Sequence, residues 1–403
     1  MSVKNNSKLL EKQIMTNAGY DMIFLVKCAL HNIKPDTEWI KNYDLHNLHK
    51  MCKFHGLTAI VYTVLESAGI NSGKADALTL LETWKSEKEK ALYKTVLMDI
   101  EREHIFEFME KKGIWHVPLK GIILKELYPR EEMREMSDND IYYDKTYQKE
   151  LYAFMTERGY EPSQIGTSHH EVYKKQPVYN FEMHTSVFGS KQNKIWIEYY
   201  QDIEKRFIKD KEGSYGYHFS DEDFYIQIMA HMYKHYVEGG TGIRSLVDCY
   251  VFLKKKEDSL DWDKLKKELT TFGIADFEMK IRVLSKKIFE NTDKKVCHNL
   301  TEEEKEMLDY LLFSGAMGTR ENKIANDLKS VECSNEKIKR KAKLKYFFKR
   351  IFPEMEFLKM NYPIAYKYKF LIPFVYIFRI LKGIFIKPQK LLKEFIIVWK
   401  KKK

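Results

Sequence analysis

Two aspartates, Asp138 and Asp140, stand two residues apart in the stretch MSDNDIYYD. The stretch reads as a β-strand, and alternate strand residues point to the same side. Both carboxylates can therefore bind one hard cation. Phosphoryl and nucleotidyl transfer need such a donor set: Mg2+ or Mn2+ offsets polyphosphate charge, and two ions can clamp the attacking and leaving oxygens. A D-x-D pair alone is common in acidic turns. Here it follows a strand-like run, IWHVPL, then Lys120-Gly121, then a helix-like IILKELYP. Glycine permits close backbone approach, helix amides point at an anion and a lysine is adjacent, so Lys120 and Gly121 are candidate phosphate contacts. A third carboxylate must come from further along. VYNFEMHTSVF and KIWIEYY both alternate like strands and offer Glu182 and Glu198; spacing does not choose between them. His184 shares the face of Glu182, either as a substrate contact or as a packing histidine at a strand end.

A second polar group lies on a helix expected from Asp221 to Glu238. Ser220 caps it, and Asp221, Glu222 and Asp223 sit over the positive end of its dipole. Gln227, His231, Lys234, His235 and Glu238 form one stripe on an otherwise apolar cylinder, which suits a helix lining a cleft. His231 and His235 have the i, i+4 spacing of a zinc pair, but His-Met-Tyr-Lys-His lacks the glutamate of H-E-x-x-H. A polar wall facing a polyphosphate or an acceptor suits them better; the plain alternative is a buried hydrogen-bonded network. EGGTGIRSLVD then opens another helix with Arg244 near its start, an anion-binding arrangement. Pairing of Arg244 with Asp248 one turn on is the structural alternative.

The elements that must position these groups follow from periodicity. Residues 1–112 read as a helical region, with a long pattern from Lys74 to Lys112. His46, His49 and His55 within it are expected to be surface or packing residues. Residues 113–215 alternate short strands with helices and read as an α/β core with a mixed sheet. Residues 216–335 read as a helical domain lining the cleft, and 336–403 as a basic, aromatic helical tail. The fold class expected is α+β.

With 403 residues, 44% of them hydrophobic, the chain has ample material for a core; 32% charged residues suit a soluble protein, and the composition is not that of a disordered or fibrous chain. The five cysteines are scattered and odd in number, which suits reduced thiols rather than disulfides or a zinc site. The N-terminus lacks the apolar run of a secretory signal. The longest apolar stretch, 371–386, is interrupted by Arg379 and Lys382 and is shorter than the roughly 20 residues of a spanning helix. A cytoplasmic location is expected. The net charge of +11 is uneven: residues 336–403 hold 20 Lys/Arg against 4 Asp/Glu, or +16, leaving −5 on the rest. Such a tail suits the anionic inner face of a membrane, with Arg379, Lys382 and Lys387 meeting lipid. RNA and a tail packed on the body are the alternatives.

Taken together, LKG at 119–121, LYP at 127–129, Arg134, SDNDI at 137–141 and FEMH at 181–184 resemble a bacterial family of nucleotidyltransferases within the superfamily of DNA polymerase beta. YGYHFSDEDFYIQIMAHMYKHY at 215–236 and GGTGIRSLVD at 239–248 extend the likeness, which covers roughly residues 40–260, with a weaker echo in RIFPEMEFLK. The resemblance implies a metal-dependent enzyme that moves a nucleoside monophosphate from an NTP to an unidentified acceptor, releasing pyrophosphate. It implies Mg2+ or Mn2+ held by Asp138, Asp140 and, through the F-E-M-H string, Glu182 rather than Glu198. Lys120, Gly121, Lys234 and Arg244 become phosphate candidates, and His184, His231 and His235 substrate candidates. One departure stands out: the superfamily's first motif is usually Gly-Ser, and this chain has Lys120-Gly121. Other readings are an RNA-acting enzyme or nucleic-acid binder using the tail, or a non-catalytic interaction protein on the same fold.

Overall fold

The computed structural model describes residues 2–70, 75–166, 168–189, 192–329, 336–386 and 388–399. Cys333 and Lys387 lie outside this set. The fold is α+β: helices on both sides, in sequence, of a mixed five-stranded sheet. Contacts divide the chain into two compact units, one of 1–165, 169–233 and 241–317, the other of 166–168, 234–240 and 318–403.

The first unit opens with helices α1 (Ser2–Leu30), α2 (Thr37–Lys41), α3 (Leu45–His55), α4 (Thr58–Ala68) and α5 (Ala75–Lys112). Local signals set their ends. Asp36 caps α2 and Asp44 caps α3, each accepting from a backbone N–H. Gly56 closes α3 at φ 61°, where a side chain would be strained and would also meet the Arg244 guanidinium at 2.9 Å. The sheet strands follow: β1 (His116–Pro118), β2 (Asn139–Tyr143), β3 (Glu161–Ser163), β4 (His170–Lys175) and β5 (Tyr179–His184). Their spatial order is β1-β2-β5-β4-β3, with β2 and β5 parallel and the other neighbours antiparallel. Between them lie α6 (Gly121–Glu126) and α7 (Gln148–Glu157).

One face of the sheet is apolar. Ile141 and Tyr143 of β2, Phe181 and Met183 of β5 and Tyr173 of β4 pack with Ile105 and Met109 of α5 and Leu151 and Met155 of α7. Strand alternation then turns residues 140, 182 and 184 to the opposite face.

KIWIEYY is not a strand. Lys194–Tyr199 form helix α8, capped by Asn193, which accepts from the Ile195 N–H at 2.9 Å. Buried Trp196 anchors it by donating to the Phe272 carbonyl at 2.9 Å. A cap and one tertiary anchor outweigh an alternation only a few residues long. A two-stranded ribbon, β6 (Ile208–Lys209) with β7 (Tyr217–His218), follows. Helix α9 (Asp221–Glu238) has the expected bounds, and Ser220 Oγ accepts from the Asp223 N–H at 3.2 Å. Helices α10 (Ile243–Lys256), α11 (Trp262–Thr271), α12 (Ala275–Phe289) and α13 (Glu302–Ser314) complete the unit. Cys28, Cys52, Cys249 and Cys297 are buried free thiols.

The second unit holds the end of α9 and helices α14 (Arg320–Lys329), α15 (Glu336–Ile351), α16 (Met355–Asn361), α17 (Pro363–Lys367), α18 (Ile372–Leu381) and α19 (Pro388–Trp399). Its polar anchor is Glu394, buried and ion-paired with Arg320 and with Arg350 at 3.1 Å, while Tyr346 Oη donates to it. Large apolar side chains stay outside: Phe370, Phe374 and Phe385 are 72%, 66% and 76% exposed. Among the described residues, no helix is long and apolar enough to cross a membrane.

Candidate active site

Asp140 and Glu182 are direct neighbours on the parallel strands β2 and β5, and His184 lies opposite Tyr142 one pleat further. One donor atom from each of Asp140, Glu182 and His184 lies within 4.8 Å of those of the other two. Asp138 sits immediately before β2 and is half-buried, with Ser137 Oγ donating to it at 3.2 Å. Lys120 Nζ meets Asp140 Oδ1 at 2.6 Å, and His184 Nε2 meets the same oxygen at 2.7 Å.

The electrostatics show one shared site. Burial, then the charges of Asp140 and Asp138, pushes the Glu182 carboxyl up to about 7. Burial and then Asp140 raise Asp138. Burial also opposes ionisation of Asp140, but the Lys120 ammonium and the His184 hydrogen bond outweigh it and hold that carboxyl far below its usual range. Lys120 is the counterpart: burial works against its charge, and Asp140, Asp138 and Glu182 together raise its pKa. Burial lowers His184, against the pull of Asp140. Three carboxylates share the Lys120 ammonium, and Asp138 and Glu182 stay raised, the condition that a multivalent cation relieves.

Lys120 carries an unusual backbone, φ 47° and ψ −112°, at the start of α6. A non-glycine residue there costs on the order of 1–3 kcal/mol. Gly121 is needed beside it, since a Cβ would stand 2.6 Å from Arg134 Nη1. Arg134 in turn grips Asp248 of α10 with two bonds of 2.8 and 2.9 Å, and Tyr128 Oη donates to Asp248 at 2.8 Å. Asp248 is thus engaged by Arg134 and Tyr128, the family-like residues of the preceding loop, rather than by Arg244. This buried cluster locks α10 onto the turn that leads into β2.

Arg244 reaches the Glu135 carbonyl at 3.4 Å, and its charge is felt by Asp138. The expected anion site at the start of α10 is occupied by a side chain: the Ile243 N–H donates to His55 Nδ1 at 3.1 Å. On α9, Gln227 is buried and His231 half-buried, while Lys234 and His235 belong to the second unit. Glu198 is an exposed residue of α8, paired with Lys194 at 3.2 Å.

Several site residues escaped the sequence reading. Lys94 of α5 donates to the Ser137 carbonyl at 3.0 Å and feels the charge of Asp138. Lys94, Lys174, Lys175 and Tyr179 line a cavity of about 640 Å3. The charge of Lys174 also acts on Glu182. His169 and His170 stand beside His184. No local pattern marks Lys94 within its long helix; the His-His pair next to a strand was visible as residue types only.

No curated protein and no solved structure matches the chain. Residues 41–290, well over half of the chain and the whole of the sheet that carries the carboxylates, match the family described as uncharacterised nucleotidyltransferase. The chain belongs to that family, and its general role is nucleotidyl transfer.

Proposed function

We propose that the protein moves a nucleoside monophosphate from an NTP to an acceptor, using a divalent cation held by Asp138, Asp140 and Glu182. The observation that carries this reading is the pairing of Asp140 with Glu182 on adjacent strands, with the Glu182 carboxyl pushed up to about 7 by burial and by two neighbouring aspartates. An all-oxygen donor set of this charge suits Mg2+ or Mn2+. Such an ion, when bound, neutralises polyphosphate charge and orients the phosphoryl oxygens.

The chain's own groups divide the remaining work. Lys94 feels the charge of Asp138 and Lys174 acts on Glu182, so these two lysines are suited to the charge of a triphosphate. Arg244, close to Asp138, is a further phosphate contact; Lys234 is a candidate on sequence grounds. Lys120 and His184 keep Asp140 ionised. Glu182 is the candidate to accept the acceptor's hydroxyl proton as that oxygen bonds to the α-phosphorus and pyrophosphate departs. Incubation with each labelled NTP, Mg2+ or Mn2+ and cell extract tests the reading. Covalent label on one extract fraction, dependent on the metal, supports it; no transfer with any NTP contradicts it.

The Lys120–Asp140 ion pair favours a second reading, in which the ammonium stands in for the cation and the fold serves as a non-catalytic interaction module. Nucleotide binding without pyrophosphate release in both metals would select it. For the second unit we propose peripheral contact with an anionic membrane surface, supported by its exposed aromatics and its charge.

A further inference from the structure

We infer that His169, His170 and His184 form a binding site for a borderline transition-metal ion, of the Zn2+ or Co2+ class, beside the carboxylate centre. One ring nitrogen from each histidine lies within 4.8 Å of one from each of the other two. The convergence is built into the sheet. His170 and His184 are direct cross-strand partners on β4 and β5. The His169 carbonyl accepts from the Thr185 and Ser186 N–H groups at 2.9 and 3.3 Å, which fixes the third ring over the same end of the hairpin.

Glu182 stands at the edge of the cluster. Its Oε2 is 3.7 Å from His170 Nε2 and 3.8 Å from His184 Nε2. Zinc–nitrogen bonds of about 2.0–2.1 Å in a tetrahedron put donors about 3.4 Å apart, so the three ring nitrogens, within 4.8 Å of one another, close in further to seat the ion, with water as the fourth donor. His184 is 2% exposed, and its Nδ1 lacks a well-formed hydrogen bond among the described residues, although the Ser186 backbone acts on the ring. Its Nε2 faces the ionised Asp140 at 2.7 Å. An ionised carboxylate only accepts, so the hydrogen is on Nε2 and Nδ1 keeps its lone pair. A buried imidazole oriented by a carboxylate in this way is the usual companion of a metal–histidine bond.

The donor chemistry separates the two centres. Imidazole nitrogen suits Zn2+, Co2+ and Ni2+, whereas Mg2+ takes oxygen and keeps its waters. Glu182 and His184 contact both centres, so an ion on the histidines couples to the carboxylates without depending on nucleotidyl transfer.

The test is a Co2+ titration of the metal-stripped full-length chain without nucleotide, followed by visible absorption, with Zn2+ and Mg2+ as competitors. The expected result is one saturable Co2+ per chain, with the intense bands of a four-coordinate nitrogen-ligated ion, displaced by Zn2+ and not by excess Mg2+. His169→Ala with His170→Ala should weaken binding at least about tenfold, with circular dichroism unchanged, and His169→Gln with His170→Gln should repeat the loss if the alanine pair misfolds. Asp138→Asn should retain the bands. The inference is overturned by a spectrum of weak six-coordinate Co2+ only, by wild-type affinity in both double variants, or by equal loss in Asp138→Asn, which would assign the ion to the carboxylates.

Discussion

Burial and the charges of Asp140 and Asp138 set the Glu182 carboxyl at about 7, against an ordinary 4.5. Between those values the folded chain keeps a proton that the unfolded chain has released. The stabilising contribution is therefore complete below about pH 4.5 and is lost as pH rises through about 7, a change of roughly 3 kcal/mol. Glu182→Gln should remove this loss, so that in EDTA the variant gains on the wild type between pH 5 and pH 8. Saturating Mg2+ should restore the wild type at pH 8, because a bound cation offsets the repulsion. Denaturant midpoints at both pH values, with and without metal, check it; parallel curves for the two proteins would contradict the assignment of Glu182 to the shared site. The same scale separates the two candidate carboxylates. Glu182→Gln should lower transfer by about 100-fold or more, on the scale of losing a group used in the transition state, while Glu198→Gln, on an exposed helix paired with Lys194, should leave initial rates within about twofold.

The elements hold the site through two buried polar contacts that lie far apart in sequence. His55 at the end of α3 accepts from the Ile243 N–H at the start of α10 and donates from Nε2 to the Leu312 carbonyl at 3.1 Å. The bond accepted by Nδ1 needs the neutral ring, and burial lowers its pKa to about 4. The sign is opposite to that of Glu182: this contribution is present above about pH 6.5 and is lost as pH falls through about 4, amounting to roughly 3 kcal/mol. His55→Ala should be less stable at pH 7 and should lose less stability than the wild type on going to pH 4.5; equal acid sensitivity in urea melts would contradict it. Arg134→Met should cost more, about 3–5 kcal/mol, since it leaves Asp248 buried without its cation. Neither contact was legible as a pair. Arg134 and Asp248 are 114 residues apart, and sequence periodicity carries no information at that range; they were visible only as family-like residues. Asp138, Asp140 and the capped α9 were legible because alternation and capping are local, whereas Glu182 was separated from Glu198 only by its family-like F-E-M-H string. The misread KIWIEYY shows the limit of the same rule, since a helix of six residues leaves too short a trace to distinguish from a strand.

At the scale of the whole molecule, charge and exposed apolar surface concentrate in the C-terminal helices. The +16 balance of residues 336–403 was plain from composition; the outward Phe370, Phe374 and Phe385 required the fold. With each basic residue near an anionic surface contributing on the order of 1 kcal/mol, several together can hold the protein there. Wild-type protein should sediment with anionic vesicles and not with neutral ones, and added salt should release it. Phe374→Ser with Phe385→Ser should weaken that binding at least about tenfold without changing transfer activity. Equal vesicle binding by wild type and variant would contradict the membrane reading.

Our central proposal is that the carboxylates of Asp138, Asp140 and Glu182 carry metal-dependent nucleotidyl transfer. Pyrophosphate release from labelled NTP, with Mg2+ and cell extract, tests it most directly when wild type is compared with Asp138→Asn, which alters a half-buried side chain outside the core. The predicted result is release by the wild type that vanishes in EDTA, and a rate lowered by about 100-fold or more in the variant with an unchanged melting curve. Wild-type release by Asp138→Asn at saturating metal would contradict it.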